Sequence, residues 1–352
     1  MRVLQLLPSL KKGDGVGNFA FNLKEILQEM DFRTEIYSEK IDANVPKNMA
    51  KKLSDLRIKD DDVILYHMCT GTSLNYKVME YKCKKIMIYH NITPPHFYKQ
   101  YSLNSYNACT KGYEDVEAMK NGFDAVVPMS AFNKKCLLEY GYSEENMYLL
   151  PFLLEKEEKK RNILDKTKNT NQVNLLYVGR MVPHKRVEDI VSAFVYYKKY
   201  YNENAVLNLI GSNGPEEYMQ PLKAYIKSLK IEGLNLLGHV SDCELERYYQ
   251  TADLYVSMSE YEGFCLPIIE AMLYEIPVLA YNAAAVADTL GKGGILWDKK
   301  SPIYLASIMN YMIENKSIRE EIINNQKEEL EKYSKEKVMA ALEHILVSVI
   351  GN

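Results

Sequence analysis

The chain has 352 residues, which at about 150 residues per domain suggests two domains. Hydrophobic residues make up 47% of the sequence and charged residues 26%, a composition that excludes a disordered, collagen-like or disulfide-stapled protein. The 44 basic and 47 acidic side chains leave a net charge of only -3, so no overall positive field favours nucleic acid or an anionic membrane as a partner.

The first part of the chain alternates short apolar runs with amphipathic stretches of helical spacing. After the first run, Phe19, Leu23 and Ile26 lie on one helical face, and Asn18 is the predicted N-cap. Five runs predict buried strands: residues 2–7, 34–38, 62–66, 85–89 and 124–128.

A second series of strands and helices begins after residue 172. Val187, Ile190 and Phe194 mark one intervening helix, and the chain from Ser317 to Ile350 is helical in pattern with a break near Tyr333. The predicted strands are VNLLYVG, AVLNLIG, LNLLG, DLYVSMS, PVLAY and GILW.

Strands that alternate with helices predict parallel sheets covered on both faces, so the fold class is α/β with two doubly wound domains. The boundaries predicted are 1–155 and 173–332, joined by a charged linker at 156–172, with a final helix at 333–352 that returns to the first domain. Ligands of such sheets bind beyond the carboxyl ends of the strands, so functional residues should follow strands directly.

The six cysteines contain no C-x-x-C pair, so the sequence predicts neither a zinc site nor a redox motif. The N-terminus lacks the order of a signal peptide, and no run of about 18 apolar residues predicts a membrane span. A reduced cytoplasmic location is expected. Lysines such as Lys84 and Lys134 allow two interpretations. They could make peripheral contact with the inner face of a membrane, or they could belong to ordinary solvated surface.

A glycine-rich turn, KKGDGVGN, follows the first predicted strand and enters a helix. Gly15 and Gly17 would let the backbone approach a phosphate or a sugar, and the helix N-terminus would present free amides. The spacing is G-x-G-x-G rather than the G-x-G-x-x-G of dinucleotide binders. A purely structural tight turn is the equal alternative.

Two segments of the second series carry stronger signals. Arg180 and Lys185 lie in GRMVPHKR directly after a strand, where two cations suit a diphosphate, although a solvated loop is the alternative. In SEYEGFCLPIIEAM, Pro267 suits the first turn of a helix, and Glu262 and Glu270 suit the hydroxyl groups of a ligand. Dipole complementation and surface charge are the alternatives for the two carboxylates.

The E-x7-E pattern of Glu262 and Glu270, with GRMVPHK, LIGSNGPEE and LLGHVSDCEL, resembles the retaining GT-B glycosyltransferases of family four, the glycosyl transferases group 1. The resemblance is strong over residues 173–300 and looser over 1–150. It implies two Rossmann-like domains facing a cleft, with a nucleoside diphosphate sugar held mainly by the C-terminal domain.

The resemblance also implies roles for individual residues. Arg180 and Lys185 would neutralise the donor diphosphate, Glu270 would bind the ribose hydroxyls, and the loop at His239 and Val240 would border the base. The donor sugar and phosphate would face Glu262, Gly263, Phe264, Cys265 and Leu266. Members of the family often have glycine at the position of Cys265, so the closest approach of the backbone to the donor is in doubt at this residue.

Two histidines end neighbouring strands of the first domain. His90 matches the histidine that in this family lies against the donor sugar and supports the leaving step, whereas His67 is expected to be structural. The D-x-D pattern in Asp60-Asp61-Asp62 precedes its strand, which is the wrong edge for a metal site, so a solvated turn is predicted. No metal and no cofactor besides the nucleotide-sugar substrate are expected.

The segment 92–112 contains Tyr98, Tyr101 and Tyr106, part of an excess of 28 Tyr over 9 Phe. These rings would either form a surface that binds the acceptor or pack on their own domain, and the sequence favours neither alternative over the other.

The function expected is transfer of a hexose to a glycan or lipid-linked hydroxyl in bacterial surface polysaccharide assembly. The alternatives are an epimerase or phosphorylase on the same scaffold, an NAD-dependent dehydrogenase, and a non-catalytic nucleotide-sugar-binding subunit. The dehydrogenase would use the glycine-rich turn and leave the Glu262–Glu270 segment without a task.

Overall fold

A computed structural model of the chain describes residues 1–152 and 172–351, which fall into two compact units. Of the described residues, the first unit comprises 1–95, 104–152 and 332–351, and the second comprises 96–103 and 172–331. The predicted linker at 156–172 lies outside the described residues except for its last residue, Gln172.

The first unit is built on a parallel six-stranded sheet in the order β3-β2-β1-β4-β5-β6. All five strands predicted here are confirmed, and the additional two-residue edge strand consists of lysines, which give no apolar signal. The strands are β1 (Val3–Leu10), β2 (Thr34–Ile41), β3 (Lys51–Lys52), β4 (Val63–Met68), β5 (Lys84–Tyr89) and β6 (Ala125–Pro128).

Helices cover this sheet, and the first of them begins earlier than the sequence predicts. Its N-cap is Asp14, whose carboxylate accepts a hydrogen bond from the Val16 amide at 2.8 Å. The expectation that Asn18 is the N-cap is wrong, because Asn18 lies within the first turn and accepts a hydrogen bond from the Gly13 amide. The helices are α1 (Gly15–Glu29), α2 (Leu74–Met79), α3 (Leu103–Ala118) and α4 (Ala131–Glu139).

The second unit repeats the architecture with a parallel sheet in the order β12-β11-β10-β7-β8-β9. All six predicted strands are confirmed, and the predicted amphipathic helix buries Val187, Ile190 and Phe194. The strands are β7 (Asn174–Val178), β8 (Val206–Ile210), β9 (Leu234–Gly238), β10 (Leu254–Ser257), β11 (Val278–Tyr281) and β12 (Gly294–Trp297).

The second unit includes the first of the two C-terminal helices but not the last helix of the chain. The predicted break near Tyr333 is confirmed, because a short 3-10 turn at Glu331–Tyr333 interrupts the helical tail. These helices are α5 (Val187–Tyr200), α6 (Glu216–Leu229), α7 (Asp242–Thr251), α8 (Leu266–Leu273), α9 (Val286–Leu290), α10 (Pro302–Glu314) and α11 (Lys316–Leu330).

The last helix, α12 (Lys335–Ile350), is part of the first unit. Lys335 forms an ion pair with Glu29 at the end of α1, with Nζ 2.6 Å from Oε1. The His344 ring packs edge-on against Tyr148 with 5.6 Å between ring centroids. The helix buries an apolar face made of Val338, Leu342, Ile345, Leu346 and Val349.

One short segment of the first half of the chain, His96–Leu103, belongs instead to the second unit. Tyr98 is buried against the ring of His184, and Tyr101 packs edge-on against Tyr218 with ring centroids 5.5 Å apart. The two tyrosines therefore pack in the second unit rather than on the domain that surrounds them in sequence. Tyr106 lies in α3.

Many tyrosines serve as core residues. Five of them are among the largest side chains that are almost completely buried: Tyr66, Tyr89, Tyr177, Tyr197 and Tyr255. The excess of tyrosine over phenylalanine is therefore partly a property of the two cores and not only of surfaces that meet polar ligands.

Candidate donor site

In each sheet the strand order reverses between two central strands, β1 and β4 in one and β7 and β10 in the other. Such switch points open a crevice at the carboxyl ends of the strands, where ligands of parallel sheets bind. In the second unit the loop 179–186 follows β7 and the loop 258–265 follows β10. The two strongest sequence motifs therefore flank one switch point.

The two loops are joined by hydrogen bonds and one ion pair. The His184 carbonyl accepts hydrogen bonds from the Glu260 amide at 2.7 Å and from the Ser259 hydroxyl at 3.3 Å. The Lys185 ammonium contacts the Glu262 carboxylate, and their side chains are only 14% and 9% exposed. Lys185 and Glu262 were predicted as separate ligand contacts, but here each neutralises the other.

Arg180 is exposed, in contrast to Lys185. Its guanidinium makes no ion pair with another described residue. Burial lowers the pKa of His184 well below its ordinary value, and the positive charges of Lys185 and Arg180 lower it further. Both cations therefore lie close enough to act on one ring, and Arg180 is the more accessible of the two.

The start of α8 is a tight backbone turn. Cys265 is its N-cap and has a φ of 70°, a left-handed conformation that favours glycine. Neither the Cys265 amide nor the Leu266 amide donates a hydrogen bond to another described residue. This geometry explains why a glycine would suit the position where the sequence has cysteine.

One side-chain and one backbone hydrogen bond hold this turn, and its buried thiol lies beside a carboxylate. Burial raises the pKa of the Cys265 thiol, and the adjacent Glu262 carboxylate raises it further. The buried Thr289 hydroxyl donates to the Phe264 carbonyl, and the Ala285 amide donates to the Glu262 carbonyl at 3.2 Å. Glu262 through Leu266, Gly263 included, thus form one supported loop at the start of α8.

Glu270 lies one turn into α8 and accepts a hydrogen bond at 2.7 Å from the hydroxyl of Tyr249. The Tyr249 ring is buried and stacks on Tyr274, with centroids 5.1 Å apart and planes 4° apart. Tyr255 is a second buried tyrosine close to these carboxylates. Burial raises its pKa well above the ordinary value, and Cys265, Tyr177, Glu262 and Glu270 raise it further. Tyr249 was missed from the sequence because nothing in its spacing relates it to Glu270.

His239 and Val240 directly follow β9, the outer strand of the same sheet, as the strand-end rule requires. The His239 side chain is exposed and makes no hydrogen bond or ring contact with another described residue. The structure therefore places these two residues on the expected edge but not in contact with the Lys185–Glu262 pair.

Two glycines of LIGSNG, Gly211 and Gly214, pack closely against the backbone of the loop 179–186. A Cβ atom on Gly211 would lie 1.9 Å from the Gly179 carbonyl oxygen, and one on Gly214 would lie 2.0 Å from the Met181 carbonyl oxygen. The Met181 amide donates to the Ser212 carbonyl at 2.9 Å. Only glycine permits this close backbone packing, which fixes the loop that carries Arg180.

In the first unit the two predicted glycines differ. A Cβ atom on Gly17 would lie 2.0 Å from the Lys11 carbonyl oxygen, so this glycine is required for packing. A Cβ atom on Gly15 would meet nothing within 4 Å. Gly17 therefore has the structural role of a tight turn. Beside Gly15 there is open space, as the alternative of a phosphate or sugar contact requires.

His90 follows β5 and takes part in a line of polar side chains within the first unit. His67 Nδ1 lies 2.8 Å from His90 Nε2, and His67 Nε2 lies 2.9 Å from Gln5 Oε1. Burial lowers the pKa of His90 to about 3. Gln5 was missed, although a polar residue inside the apolar strand VLQLL is a signal for a buried polar contact.

The acidic run before β4 is only partly a solvated turn. Asp60 and Asp61 are exposed, but Asp62 is 1% exposed and accepts hydrogen bonds from Arg2 and from the Lys59 amide. Burial alone would raise the pKa of Asp62, but these bonds outweigh it and hold the pKa below its ordinary value. The prediction of solvation is therefore wrong for Asp62, whose role is to pair with Arg2.

Within residues 1–152 and 172–351, no cluster of three or more His, Cys, Asp or Glu side chains could hold a metal ion. None of the six cysteines, all of which lie in the described part of the chain, forms a disulfide. In the same part of the chain, no helix is both long and apolar enough to cross a membrane. Of the lysines considered for membrane contact, Lys84 pairs with Asp124 and Lys134 pairs with Glu144.

Comparison with known sequences places the second unit in a known family. Residues 157–329 match the family model of the glycosyl transferases group 1. O-antigen chain mannosyltransferase B of Escherichia coli is 29% identical over 159 residues, 45% of this chain and 41% of that protein. The capsular polysaccharide biosynthesis glycosyltransferase CapM of Staphylococcus aureus is 29% identical over 218 residues, 60% of this chain and 54% of CapM. The chain thus spans about half the length of these relatives.

Solved structures show the same fold. WaaG, a glycosyltransferase involved in lipopolysaccharide biosynthesis, aligns with a TM-score of 0.74 at 12% identity, over 99% of this chain and 100% of WaaG. HepE of Anabaena, solved with UDP-glucose, aligns with a TM-score of 0.71 at 18% identity, over 100% of both chains. The two parallel six-stranded sheets are those of the GT-B fold, as predicted.

Proposed function

Because residues 157–329 belong to the glycosyl transferases group 1, we propose that this protein transfers a hexose from a nucleoside diphosphate sugar to a hydroxyl of a glycan or lipid-linked acceptor. We place the reaction in bacterial surface polysaccharide assembly. Relatives named for O-antigen and capsular polysaccharide synthesis support that setting.

One observation carries the proposal: cations, amides and carboxylates converge at the switch point between β7 and β10. Exposed Arg180 and the start of α8 offer positive charge and N–H donors to a diphosphate. Glu270, one helical turn further, accepts hydrogen bonds and so suits the ribose hydroxyls. Structural neighbours that were solved with UDP and with UDP-glucose support a nucleotide-sugar donor.

The chemistry follows from where charge develops. As the bond between the anomeric carbon and the phosphate oxygen breaks, negative charge grows on the departing diphosphate. Arg180, Lys185 and the amides of Cys265 and Leu266 stabilise that charge more in the transition state than in the ground state. The acceptor oxygen bonds to the anomeric carbon on the same face, and its proton passes to the departing phosphate. The donor configuration is thereby retained, and no carboxylate acts as a nucleophile.

We expect the transfer to continue in the presence of EDTA, because the protein's own cations carry the charge of the diphosphate. Product formation can be followed by mass spectrometry of the acceptor. Formation of a sugar 1-phosphate from added inorganic phosphate would instead indicate phosphorylase chemistry, and interconversion of donor sugars without transfer to a hydroxyl acceptor would indicate epimerase chemistry.

A thermal-shift panel of UDP-, GDP-, dTDP- and ADP-sugars tests donor binding. A donor present at about 100 times its dissociation constant adds about 2.7 kcal/mol of stability, so the cognate nucleotide should stand out. No stabilisation by any nucleotide sugar would contradict the proposal.

Replacing Arg180 with Ala should lower turnover about 100-fold, because one donor to the developing charge is removed from the site. The protein should stay folded, since the guanidinium forms no ion pair with another described residue. Lys227→Ala is the matched control: Lys227 is also exposed, and it lies near the end of α6, away from the carboxyl edge of the sheet. Equal turnover in Arg180→Ala and Lys227→Ala would contradict the assignment of Arg180.

A further inference from the structure

The second unit carries a group of exposed aromatic rings that the donor site does not use. Four tyrosines and one isoleucine, at the end of α5 and on α10, are between 44% and 61% exposed: Tyr200, Tyr201, Ile303, Tyr304 and Tyr311. We call this group the tyrosine face. Single exposed apolar side chains are ordinary, whereas a contiguous group of them marks a surface that binds a ligand or a partner.

The packing of two helices brings these rings together. The helices α5 and α10 pack side by side, and a hydrogen bond of 2.9 Å between the hydroxyls of Tyr201 and Ser307 joins the end of α5 to α10. Tyr304 and Tyr311 are two helical turns apart and lie on one side of α10, away from the buried Leu305. The fold therefore holds the tyrosine face in a fixed arrangement.

Two open depressions lie in the tyrosine face and share the side chain of Tyr201. The larger has a volume of about 540 Å³, and its lining includes Tyr311, Asn310 and Glu314. The smaller has a volume of about 360 Å³, and its lining includes Tyr200. Sites for small ligands typically have about 300–1,000 Å³, so each depression has room for a sugar unit.

The larger depression combines aromatic rings with groups that form hydrogen bonds. The Asn310 amide and the Glu314 carboxylate line it, and neither side chain forms a hydrogen bond or an ion pair with another described residue. An amide both donates and accepts and a carboxylate accepts, so the two suit hydroxyl groups. A hexose presents an apolar C–H face and a rim of hydroxyls, which matches tyrosine rings with polar groups between them.

The surroundings of the tyrosine face favour a sugar over a membrane or a protein. Exposed Lys199 and Lys316 are balanced by exposed Glu203 and Glu314, so no positive field attracts anionic lipids. Protein interfaces have an apolar centre and a polar rim. Here the groups that form hydrogen bonds lie between the rings, at the centre.

The tyrosine face lies away from the candidate donor site. The helix α5 begins directly after the loop 179–186, at the carboxyl edge of the sheet, and ends at Tyr200, shortly before β8 begins at the amino edge. Tyr200 and Tyr201 therefore lie at the opposite edge from Arg180. A ligand can bind to the tyrosine face while a donor occupies the switch point between β7 and β10.

We propose that the tyrosine face is a second carbohydrate site, which binds a chain of neutral hexose units. The choice of a glycan over another hydroxyl-rich ligand rests on the proposed function. The rings of Tyr201 and Tyr311 stack on the apolar faces of the sugars, and Asn310 and Glu314 bind their hydroxyls. A polymer held at this second point stays close to the enzyme between transfers, which raises the effective concentration of acceptor ends.

Binding to this site can be measured without donor and without turnover. Saturation-transfer difference NMR gives dissociation constants for two probes, maltohexaose and mannohexaose. We expect at least one of them to bind the wild type, and its affinity to fall about tenfold in Tyr311→Ala, because one stacking ring is lost. Tyr311→Phe keeps the ring and should bind nearly as well as the wild type. Both variants should fold, because the exposed Tyr311 hydroxyl forms no hydrogen bond with another described residue.

Leu273→Ala is the matched control. Leu273 is 37% exposed at the end of α8, also at the amino edge of the sheet, but it lines neither depression. Its replacement should leave the affinity for the probes unchanged. No binding of either probe to the wild type, equal affinities in the wild type and Tyr311→Ala, or an equal loss in Leu273→Ala would each overturn the second site.

Two further measurements separate the remaining outcomes. Self-association, or binding to vesicles of phosphatidylcholine and phosphatidylglycerol, that disappears in Tyr311→Ala without any binding of the probes would make a second copy or a membrane the occupant and overturn the proposal. Transfer to an acceptor without probe binding would refute the second site alone. Probe binding that depends on Tyr311, without transfer to any acceptor, would refute the proposed function alone.

Discussion

The ion pair of Lys185 and Glu262 changes what each residue contributes to a donor site. Both side chains are largely withdrawn from water, so each offsets the cost of burying the other's charge. A diphosphate that approaches this site first meets the exposed Arg180. Lys185 adds its charge only in so far as Glu262 turns towards another partner, such as a sugar hydroxyl.

This pair makes a prediction about stability. Lys185→Met leaves the Glu262 carboxylate buried without its partner and should lower the free energy of unfolding by about 3 kcal/mol. The double variant with Glu262→Gln removes both charges and should be more stable than Lys185→Met alone. Urea unfolding of the single and double variants measures both quantities.

A surface pair provides the control for this experiment. Lys134 and Glu144 also form an ion pair, but their side chains are 28% and 67% exposed. Lys134→Met should therefore change the free energy of unfolding by less than about 1 kcal/mol. Strictly additive losses in the Lys185 and Glu262 variants would show that the two charges do not interact.

At the scale of single elements, the start of α8 is the least ordinary backbone in the candidate site. Cys265 takes a φ of 70°, where a Cβ atom costs about 1 kcal/mol relative to glycine. Its thiol fills a buried position beside Glu262, so sulfur packing and backbone strain oppose each other.

Two substitutions separate these effects. Cys265→Ala keeps the Cβ atom and loses the sulfur, whereas Cys265→Gly loses both and relieves the strain. We expect the glycine variant to be more stable than the alanine variant by about 1 kcal/mol, as measured by urea unfolding. Inside α4 the order should reverse, with Cys136→Ala more stable than Cys136→Gly by about 1 kcal/mol. The same order at both sites would contradict the left-handed assignment.

The strands and the cationic loop could be predicted because their signals are local. Apolar runs locate all but one strand, and Arg180 and Lys185 stand out by charge directly after β7. The contact between Lys185 and Glu262 is not local: it joins residues 77 positions apart and arises because β7 and β10 are neighbours in the sheet. The contact between Tyr249 and Glu270 and that between Gln5 and His67 likewise depend on tertiary packing, which a single sequence does not encode locally.

At the scale of the whole molecule, chain order and structural unit do not coincide. The helix α12 follows α11 directly but belongs to the first unit, and the segment His96–Leu103 lies between strands of the first unit but belongs to the second. Alternation of strands and helices predicts the number of sheets, but it carries no information about which sheet a helix at the end of the chain will cover.

This crossing of the chain can be tested by hydrogen exchange with mass spectrometry. Leu346 is 1% exposed on α12, so Leu346→Ala should cost about 3 kcal/mol. The lost protection should appear in α1 and other parts of the first unit, while α11, its neighbour in sequence, stays protected. Leu305→Ala, at an equally buried position on α10, should cost a similar amount but affect the second unit.

The segment that crosses in the opposite direction gives the complementary result. Tyr101→Ala removes a ring that packs on Tyr218 of α6, so protection should fall in the second unit although residue 101 lies between β5 and β6 in sequence. If exchange instead rose around β5 and β6, the segment would belong to the first unit. In that case its aromatic rings would be available to an acceptor, as the sequence alone allowed.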